Sequence, residues 1–146
     1  MPITNNDWRP ISSHPEFQQK LIDDKIFSTK SYIFGISLVL GFMLKRRSAE
    51  QPTHKDGGFA RIMPIYQRGA ESGKFPLFLD LANFIFDHYA EGDTEKEKLK
   101  DMDKIAEGGL EFLMEQNEQQ GLKELDMTQI IQIIRDLDNT QSTSTT

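Results

Sequence analysis

The sequence predicts a mainly α-helical domain of about five helices around one central apolar helix, with one short strand or hairpin. Three observations predict it. Apolar residues run almost unbroken from Tyr32 to Leu44, the longest such run in the chain. Several later segments repeat apolar residues at helical spacings of three and four positions. One segment, Phe59 to Gln67, alternates in the manner of a strand, and its Pro64 would confine that strand to an edge because proline cannot donate a ladder hydrogen bond.

Length and composition limit the organisation of the chain. Its 146 residues, of which 37% are hydrophobic, suffice for one domain with a real core and are too few for two ordinary domains. We expect an extended arm over residues 1–11, in which Trp8 docks on the domain, and a single helical domain over residues 12–137. Residues 138–146 are polar, have nothing to bury and are expected to be disordered.

The chain contains no cysteine and carries a formal net charge of -6. Without cysteine there is no disulfide framework, no thiolate nucleophile and no cysteine zinc site, which fits a reducing cytoplasm. The acidic balance argues against broad non-specific binding of nucleic acid but does not exclude a local basic patch. We therefore expect a cytoplasmic protein.

The first helix is expected to begin at a capping box. Ser13 would be the cap, Pro15 suits the first turn because its missing amide is not needed there, and Glu16 would close the box. The helix is expected to continue to about Asp24. Its apolar side consists of Phe17, Leu21 and Ile22.

The central helix is expected to run from Ser28 to Arg47. Ser28 or Thr29 can cap its first turn, since a hydroxyl oxygen accepts hydrogen bonds from amides that have no partner inside the helix. Lys45, Arg46 and Arg47 lie where the negative end of the helix dipole favours cations. The apolar run of about 13 residues is shorter than the roughly 20 that a bilayer requires, so a buried core helix is favoured over a membrane span.

Small residues interrupt two of the predicted helices. Ser37 and Gly41 lie four positions apart on one face of the central helix, close to Gly35. Gly108 and Gly109 lie inside a later helix, where the pair costs about 2 kcal/mol by propensity. We expect a closely approaching backbone or partner to offset this cost. All five residues are therefore candidates for an interface.

Two loops are expected on either side of the alternating segment. The first covers Ser48 to Gly58 and places His54 in solvent, and the second covers Arg68 to Lys74. A second strongly apolar helix is expected from Phe75 to Tyr89, begun by Pro76. Its polar residues form a narrow solvent stripe consisting of Asp80, Asn83, Asp87 and His88.

The next helix is expected to begin at Thr94, with acidic residues in its first turn, and to give way to a polar exit over Gln116 to Gly121. A last, isoleucine-rich helix is expected from Asp126 or Thr128 to Leu137. The amphipathic stripe of the helix that begins at Thr94 consists of Leu99, Met102, Ile105 or Ala106, Gly109 or Leu110, and Leu113.

No residue pattern indicates catalysis, a metal site or a cofactor. His14, His54 and His88 are expected in a cap, in a loop and on a helix surface, and no pair of them has metal-ligand spacing. The chain lacks a P-loop, a dinucleotide-binding glycine motif and a nucleophile elbow. The neighbours Asp87 and His88 could serve acid–base or metal chemistry, but a solvated helix face is the favoured interpretation. The sequence therefore predicts a protein that is not an enzyme.

A basic cluster is the candidate contact with nucleic acid. Lys45, Arg46 and Arg47, with Arg61 and Arg68 nearby in sequence, could form a patch that binds phosphates. The competing interpretation is that cations match the helix dipole and add solubility, and it is the favoured one. Any association with DNA is therefore expected to be indirect rather than direct.

Four stretches carry a family resemblance: YIFGISLVLGFMLKRR at Tyr32 to Arg47, MPIYQ at Met63 to Gln67, KIAEGGLEFLMEQ at Lys104 to Gln116, and the isoleucine-rich last helix. Together they resemble small proteins associated with the Dnd DNA-phosphorothioation systems of prokaryotes, over roughly Phe27 to Leu137. The resemblance implies an accessory component encoded beside DNA-modification or restriction genes. It implies no catalytic residues.

The leading hypothesis is a non-enzymatic accessory or adaptor subunit of a prokaryotic DNA-modification or anti-phage defence system. It would act through contacts with other protein subunits, in a complex or as a homo-oligomer, because two nearly all-round apolar helices exceed what one small core normally needs. The alternative is a small DNA-binding regulator that uses Lys45, Arg46, Arg47 and Arg61. No membrane association is expected.

Overall fold

The computed structural model describes residues 2–53, 61–73 and 78–120, and these form five α-helices. The prediction of a mainly α-helical fold is confirmed. The predicted last helix, the predicted tail over residues 138–146 and His54 lie outside the described residues. The helices are α1 (Pro15–Asp23), α2 (Lys30–Leu44), α3 (Ile62–Ser72), α4 (Phe78–His88) and α5 (Glu95–Gln120).

Helix α2 begins as predicted but ends earlier. Thr29 Oγ1 accepts a hydrogen bond from the Tyr32 amide at 3.2 Å. At the other end Lys45 adopts the left-handed conformation, with φ 53° and ψ 43°. The Lys45 amide then donates to the Phe42 carbonyl and the Arg46 amide to the Gly41 carbonyl, which is the Schellman pattern that terminates a helix. The two arginines therefore follow the helix instead of belonging to its last turn.

The strand predicted over Phe59 to Gln67 and the loop predicted over Arg68 to Lys74 are wrong from Ile62 to Ser72, because helix α3 covers Ile62–Ser72. Pro64 lies in the first turn of the helix, where an amide has no intrahelical partner to lose. Gly73 ends the helix at φ 78°. The alternation was a local coincidence, since the buried residues recur at helical spacing: Ile62, Met63, Tyr66 and Gly69.

The capping box predicted for the first helix is also wrong. The N-cap of α1 is His14, whose side chain makes no capping hydrogen bond. The Ser13 amide donates instead to Glu107 Oε2 at 2.6 Å, and Ser13 Oγ accepts from the Thr53 amide at 2.9 Å. A long-range carboxylate on α5 thus replaces the local partner Glu16, because the fold holds it against this turn.

Helix α5 starts at the predicted cap and runs further than predicted. Thr94 Oγ1 accepts from the Glu97 amide at 3.1 Å. The polar exit expected at Gln116 is instead helical to Gln120, which agrees with the good helix propensity of glutamine and glutamate. The predicted amphipathic stripe is buried at every position, namely Leu99, Met102, Ile105, Ala106, Gly109, Leu110 and Leu113.

Helix α2 is the centre of the core, as predicted, and packs most extensively along α5. One side of α2 meets α3, α4 and the N-terminal arm, where Phe34 and Leu38 join a cluster with Tyr66, Ile85 and Met102. The opposite side meets α1 in a second cluster, whose members are Phe17, Leu21, Phe27, Ile33, Ile36, Leu40, Leu110 and Leu113. No helix among the described residues is long and apolar enough to cross a membrane.

Candidate interaction surface

The small residues predicted as interface candidates lie where α2 crosses α5 inside the chain. A Cβ atom at Gly41 would fall on the carbonyl oxygen of Ile105, and one at Gly109 would fall on the carbonyl oxygen of Ser37. A Cβ at Gly108 would lie 2.7 Å from the carbonyl oxygen of Arg46. The predicted close approach of backbones therefore exists, and both partners belong to this chain.

Gly35 is covered by an aromatic ring rather than by a backbone. A Cβ at this position would lie 2.7 Å from the ring of Phe78, which also contacts Tyr32 and Tyr66 at centroid distances of 5.1 and 5.4 Å. Gly35 is buried, as are the other four candidates. These residues bring helices of the fold together and leave no surface for a second molecule.

The two arginines of the predicted basic cluster bind carboxylates of α5. Arg46 makes two hydrogen bonds to Glu115, at 2.8 and 2.7 Å, and Arg47 makes two to Asp101, at 2.8 and 2.9 Å. The Arg47 guanidinium also lies 4.4 Å from the centre of the Tyr89 ring. The hydrogen bonds to these carboxylates raise the pKa of both arginines. Carboxylates of α5 thus neutralise the positive charge of two of the three residues in the Lys45–Arg47 cluster.

The other two residues of the predicted DNA contact, Lys45 and Arg61, lie at the ends of different helices and have different surroundings. Lys45 is exposed at the end of α2. Arg61 precedes α3, is half exposed, and faces Asp7 of the arm at 3.3 Å. An exposed pair of this kind contributes little to stability and leaves the guanidinium accessible to solvent. The structure therefore does not assemble the four cations into one unpaired patch.

His88, which the sequence offered as a candidate for acid–base or metal chemistry, lies on the solvent side of α4. The side chain of His88 is 62% exposed, and its Nε2 lies 3.5 Å from Asp87 Oδ2. Asp80 and Asp87 are exposed on the same helix, as the polar stripe predicted, whereas Asn83 is half-buried. Among the residues that the structure describes, no three side chains of metal-binding type come together.

Phe84 was not predicted to face solvent, yet it is the exposed large hydrophobic residue among the residues that the structure describes. It is 51% exposed and lies between Asp80 and His88 on α4. Its ring packs at 4.7 Å from His88 and at 5.9 Å from Phe42 of α2, measured between centroids. The signal was present in the sequence, because Phe84 falls between Asn83 and Asp87 within the predicted solvent stripe.

Phe84 continues an apolar surface that begins on α2. Val39, Phe42 and Met43 are half-buried and lie three and four positions apart, so they share one side of that helix. Phe42 contacts the Phe84 ring edge-on, which joins this side of α2 to α4. We call Val39, Phe42, Met43 and Phe84 the α2/α4 face. Phe84 is exposed and adjoins these half-buried apolar side chains, so the α2/α4 face is the candidate contact surface.

The N-terminal arm is held by polar groups from α4 and α5. The Ile3 amide donates to Asn83 Oδ1 at 2.9 Å, and Thr4 donates to Glu95 through its amide and its hydroxyl, at 2.9 and 2.6 Å. Trp8 is buried and meets Phe34 edge-on at 5.5 Å, so the expected docking of Trp8 is seen. The arm is therefore part of the core structure.

A buried carboxyl group lies beneath this arm. Asp103 of α5 is 5% exposed, and the indole N–H of Trp8 and the backbone N–H of Ile11 face it. Neither the Trp8 indole N–H nor Asp103 Oδ1 has a hydrogen-bond partner of good geometry among the described residues. Burial is the largest of the causes that together raise the pKa of Asp103 to about 8; the nearby Glu107 adds to the rise and the two donors oppose it. No pattern in the sequence predicted that Asp103 is buried.

Comparison with models of protein families, with curated proteins and with solved structures gives no match to this chain.

Proposed function

We propose that the chain is a non-enzymatic accessory or adaptor subunit of a prokaryotic DNA-modification or anti-phage defence system, and that it acts through protein–protein contacts. The biological setting rests on the sequence resemblance to proteins associated with DNA phosphorothioation. The mode of action rests on the α2/α4 face.

The exposed ring of Phe84 is the observation that carries this proposal. Burying a phenylalanine side chain contributes roughly 1.5–3 kcal/mol, and half of this ring is open to water. Aromatic residues that fill a partner's pocket are typical centres of binding energy in interfaces. The ring packs against Phe42 of α2 and against His88, and these contacts restrict the positions that it can take on the α2/α4 face.

The adaptor hypothesis is tested by co-purification. When the tagged chain is expressed together with the DNA-phosphorothioation proteins of its host, we expect one of them to be retained. Phe84→Ser should weaken that retention at least tenfold, because the anchor is lost, and should leave the helical circular dichroism unchanged. Lys20→Ser, an exposed change on α1, is the matched control and should behave as the native chain does. Equal retention by both variants, or none by the native chain, contradicts the hypothesis.

The alternative, a small DNA-binding regulator, is tested separately on immobilised duplex DNA. We expect the native chain to pass such a column without delay at low salt, because Arg46 and Arg47 already bind Glu115 and Asp101. Lys45→Glu combined with Arg61→Glu leaves these ion pairs intact and is therefore the informative variant. A delay that this variant abolishes, and that disappears as salt rises, would favour the regulator over the adaptor.

A further inference from the structure

We propose that the N-terminal arm is a proton-controlled strap: a proton on Asp103 holds the arm closed over α4 and α5, and loss of that proton lets the arm open. The inference goes beyond the adaptor function and does not depend on it. It rests on the attachments of the arm, on two neighbouring carboxyl groups that are buried beneath it and on the charges around them.

The arm is attached near its start, in its middle and at its end. Near the start, the Ile3 amide donates to a side chain of α4. In the middle, Trp8 is buried and its carbonyl oxygen accepts a hydrogen bond from the Ile62 amide at 3.3 Å. Where the arm leads into α1, the Ser12 hydroxyl donates to Glu107 Oε1 of α5 at 2.6 Å. The arm is therefore fastened over α4 and α5 at separate points.

Two carboxyl groups lie buried beneath the arm, one helical turn apart on α5. Asp103 is 5% exposed and Glu107, four positions later, is 3% exposed. Glu107 is satisfied, because the Ser12 hydroxyl and the Ser13 amide each donate to one of its oxygens. Asp103 Oδ1 and Trp8 Nε1 have no hydrogen-bond partner among the described residues. An ionised Asp103 would therefore be an incompletely solvated buried charge, whereas a protonated one carries no charge to compensate.

The groups around Asp103 do not compensate an anion there. Among the described residues, Glu107 is the charged side chain that acts on it, and two like charges in one buried site oppose each other. The indole of Trp8 and the backbone N–H of Ile11 also face it, and both are neutral. His14 lines the open cleft at Glu107. Other charged groups on the surrounding elements are exposed or already paired, namely Asp7 and Arg9 on the arm, Arg61 before α3, Asp87 and His88 on α4, and Arg46 and Arg47 after α2.

Opening of the arm relieves the penalty of ionising Asp103. While the arm is closed, the pKa of Asp103 is about 8; once water reaches the carboxyl, its pKa returns to the ordinary 3.8. Between these values the closed form holds one proton more than the open form, so each rise of one pH unit favours opening by about tenfold. Above about pH 8 both forms are ionised and the balance between them is constant.

Opening would enlarge the apolar surface next to Phe84. Ile3 and Trp8 belong to the core cluster that also contains Phe34 of α2, and Pro2 lines the cleft at Phe84. Release of the arm therefore uncovers apolar side chains that adjoin the α2/α4 face. The strap thus controls how much apolar surface the chain presents.

Amide hydrogen exchange tests the strap, measured by nuclear magnetic resonance between pH 5 and 9 and corrected for the intrinsic exchange rate at each pH. The reporters are the amides of Ile3 and Ile62, whose acceptors, the Asn83 side chain and the Trp8 carbonyl, do not titrate. We expect the protection of both to fall by about tenfold per pH unit up to about pH 8 and then to level off. The Ile33 amide, bonded in the first turn of α2, should keep its protection throughout.

Two variants separate Asp103 from the other titratable groups. Asp103→Asn keeps all of them, His14 included, and should make the protection of the two reporters independent of pH. Asp93→Asn, an exposed change ahead of α5, should leave the native pH dependence as it is. If Asp103→Asn does not fold, the carboxyl carbon resonance of Asp103 in the native chain takes its place, and its titration midpoint should coincide with the pH at which protection levels off.

Protection of Ile3 and Ile62 that stays constant with pH overturns the proposal. A parallel loss at Ile33 also overturns it, because the whole fold would then be opening instead of the arm. The same holds for a pH dependence that persists in Asp103→Asn, which would assign the effect to another group, and for an Asp103 resonance that titrates near its ordinary value.

Discussion

Replacing Gly109 with alanine is expected to lower the free energy of unfolding by about 3 kcal/mol or more. The added Cβ would fall on the carbonyl oxygen of Ser37 and lie 2.9 Å from the amide nitrogen of Gly41. Neither backbone atom can rotate away, so α2 and α5 would have to move apart. Because α2 contributes to both core clusters, the separation would loosen packing on each of its sides.

Whether Gly109→Ala lowers or raises the free energy of unfolding shows whether packing or helix propensity dominates at this position. Alanine is favoured over glycine inside a helix by about 1 kcal/mol, so propensity alone predicts that Gly109→Ala stabilises the chain. Urea unfolding followed by circular dichroism decides between the two. Gly73→Ala is the control, since no atom lies within 4 Å of a Cβ there and its left-handed backbone predicts a loss of only about 1 kcal/mol. A Gly109→Ala midpoint at or above the native value would show that the helices are not in contact at this crossing.

The stability of the chain is expected to fall as pH rises from about 4 to about 8, because of Asp103. Burial raises the pKa of this carboxyl from 3.8 to about 8 in the folded state. Between these values the folded chain keeps a proton that the unfolded chain has lost, so each step up in pH favours unfolding. Above about pH 8 both states are ionised and the penalty is constant. Its upper limit is about 6 kcal/mol, from 1.36 kcal/mol per pKa unit.

Asp103→Asn removes the ionisable group and keeps the shape of the side chain. We expect the difference in unfolding free energy between this variant and the native chain to shift in favour of the variant as pH rises from 5 to 8. Glu95→Gln is the control: the hydrogen bond from Thr4 lowers the pKa of Glu95, so the contribution of this carboxylate is constant from pH 5 to 8 and is lost only in more acidic solution. A native pH profile parallel to that of Asp103→Asn would contradict a raised pKa at Asp103.

The fluorescence of Trp8 offers a second, local measurement of the ionisation of Asp103. It is the one tryptophan in the sequence, it is buried, and its indole N–H faces the Asp103 carboxyl. When Asp103 ionises beside Glu107, we expect the arm to loosen and the Trp8 emission to move to longer wavelength and become accessible to acrylamide. The change should be absent in Asp103→Asn, while the helical circular dichroism stays constant in both proteins.

Helices whose apolar stripes or caps are local could be predicted from the sequence. Thr29 and Thr94 cap their helices because a hydroxyl meets amides only three residues away. The buried stripe from Leu99 to Leu113 was also predicted correctly, since the spacing of its apolar residues is a property of α5 alone. The segment at Ile62 could not be predicted in this way. Its residues satisfy both a two-residue and a helical pattern over a short window. Only the packing of α3 against α4 and the contact of Tyr66 with α2 decide between them.

The sequence by itself determined that this chain is mainly helical, that α2 is its central helix, and that glycines mark a close approach of backbones. Each of these follows from the spacing and size of residues within one segment. Only the tertiary structure decided that the close approach joins α2 to α5, that Arg46 and Arg47 bind Glu115 and Asp101, and that Phe84 stays outside. The physical reason is that these contacts join residues far apart in the chain, whose partners no local pattern specifies.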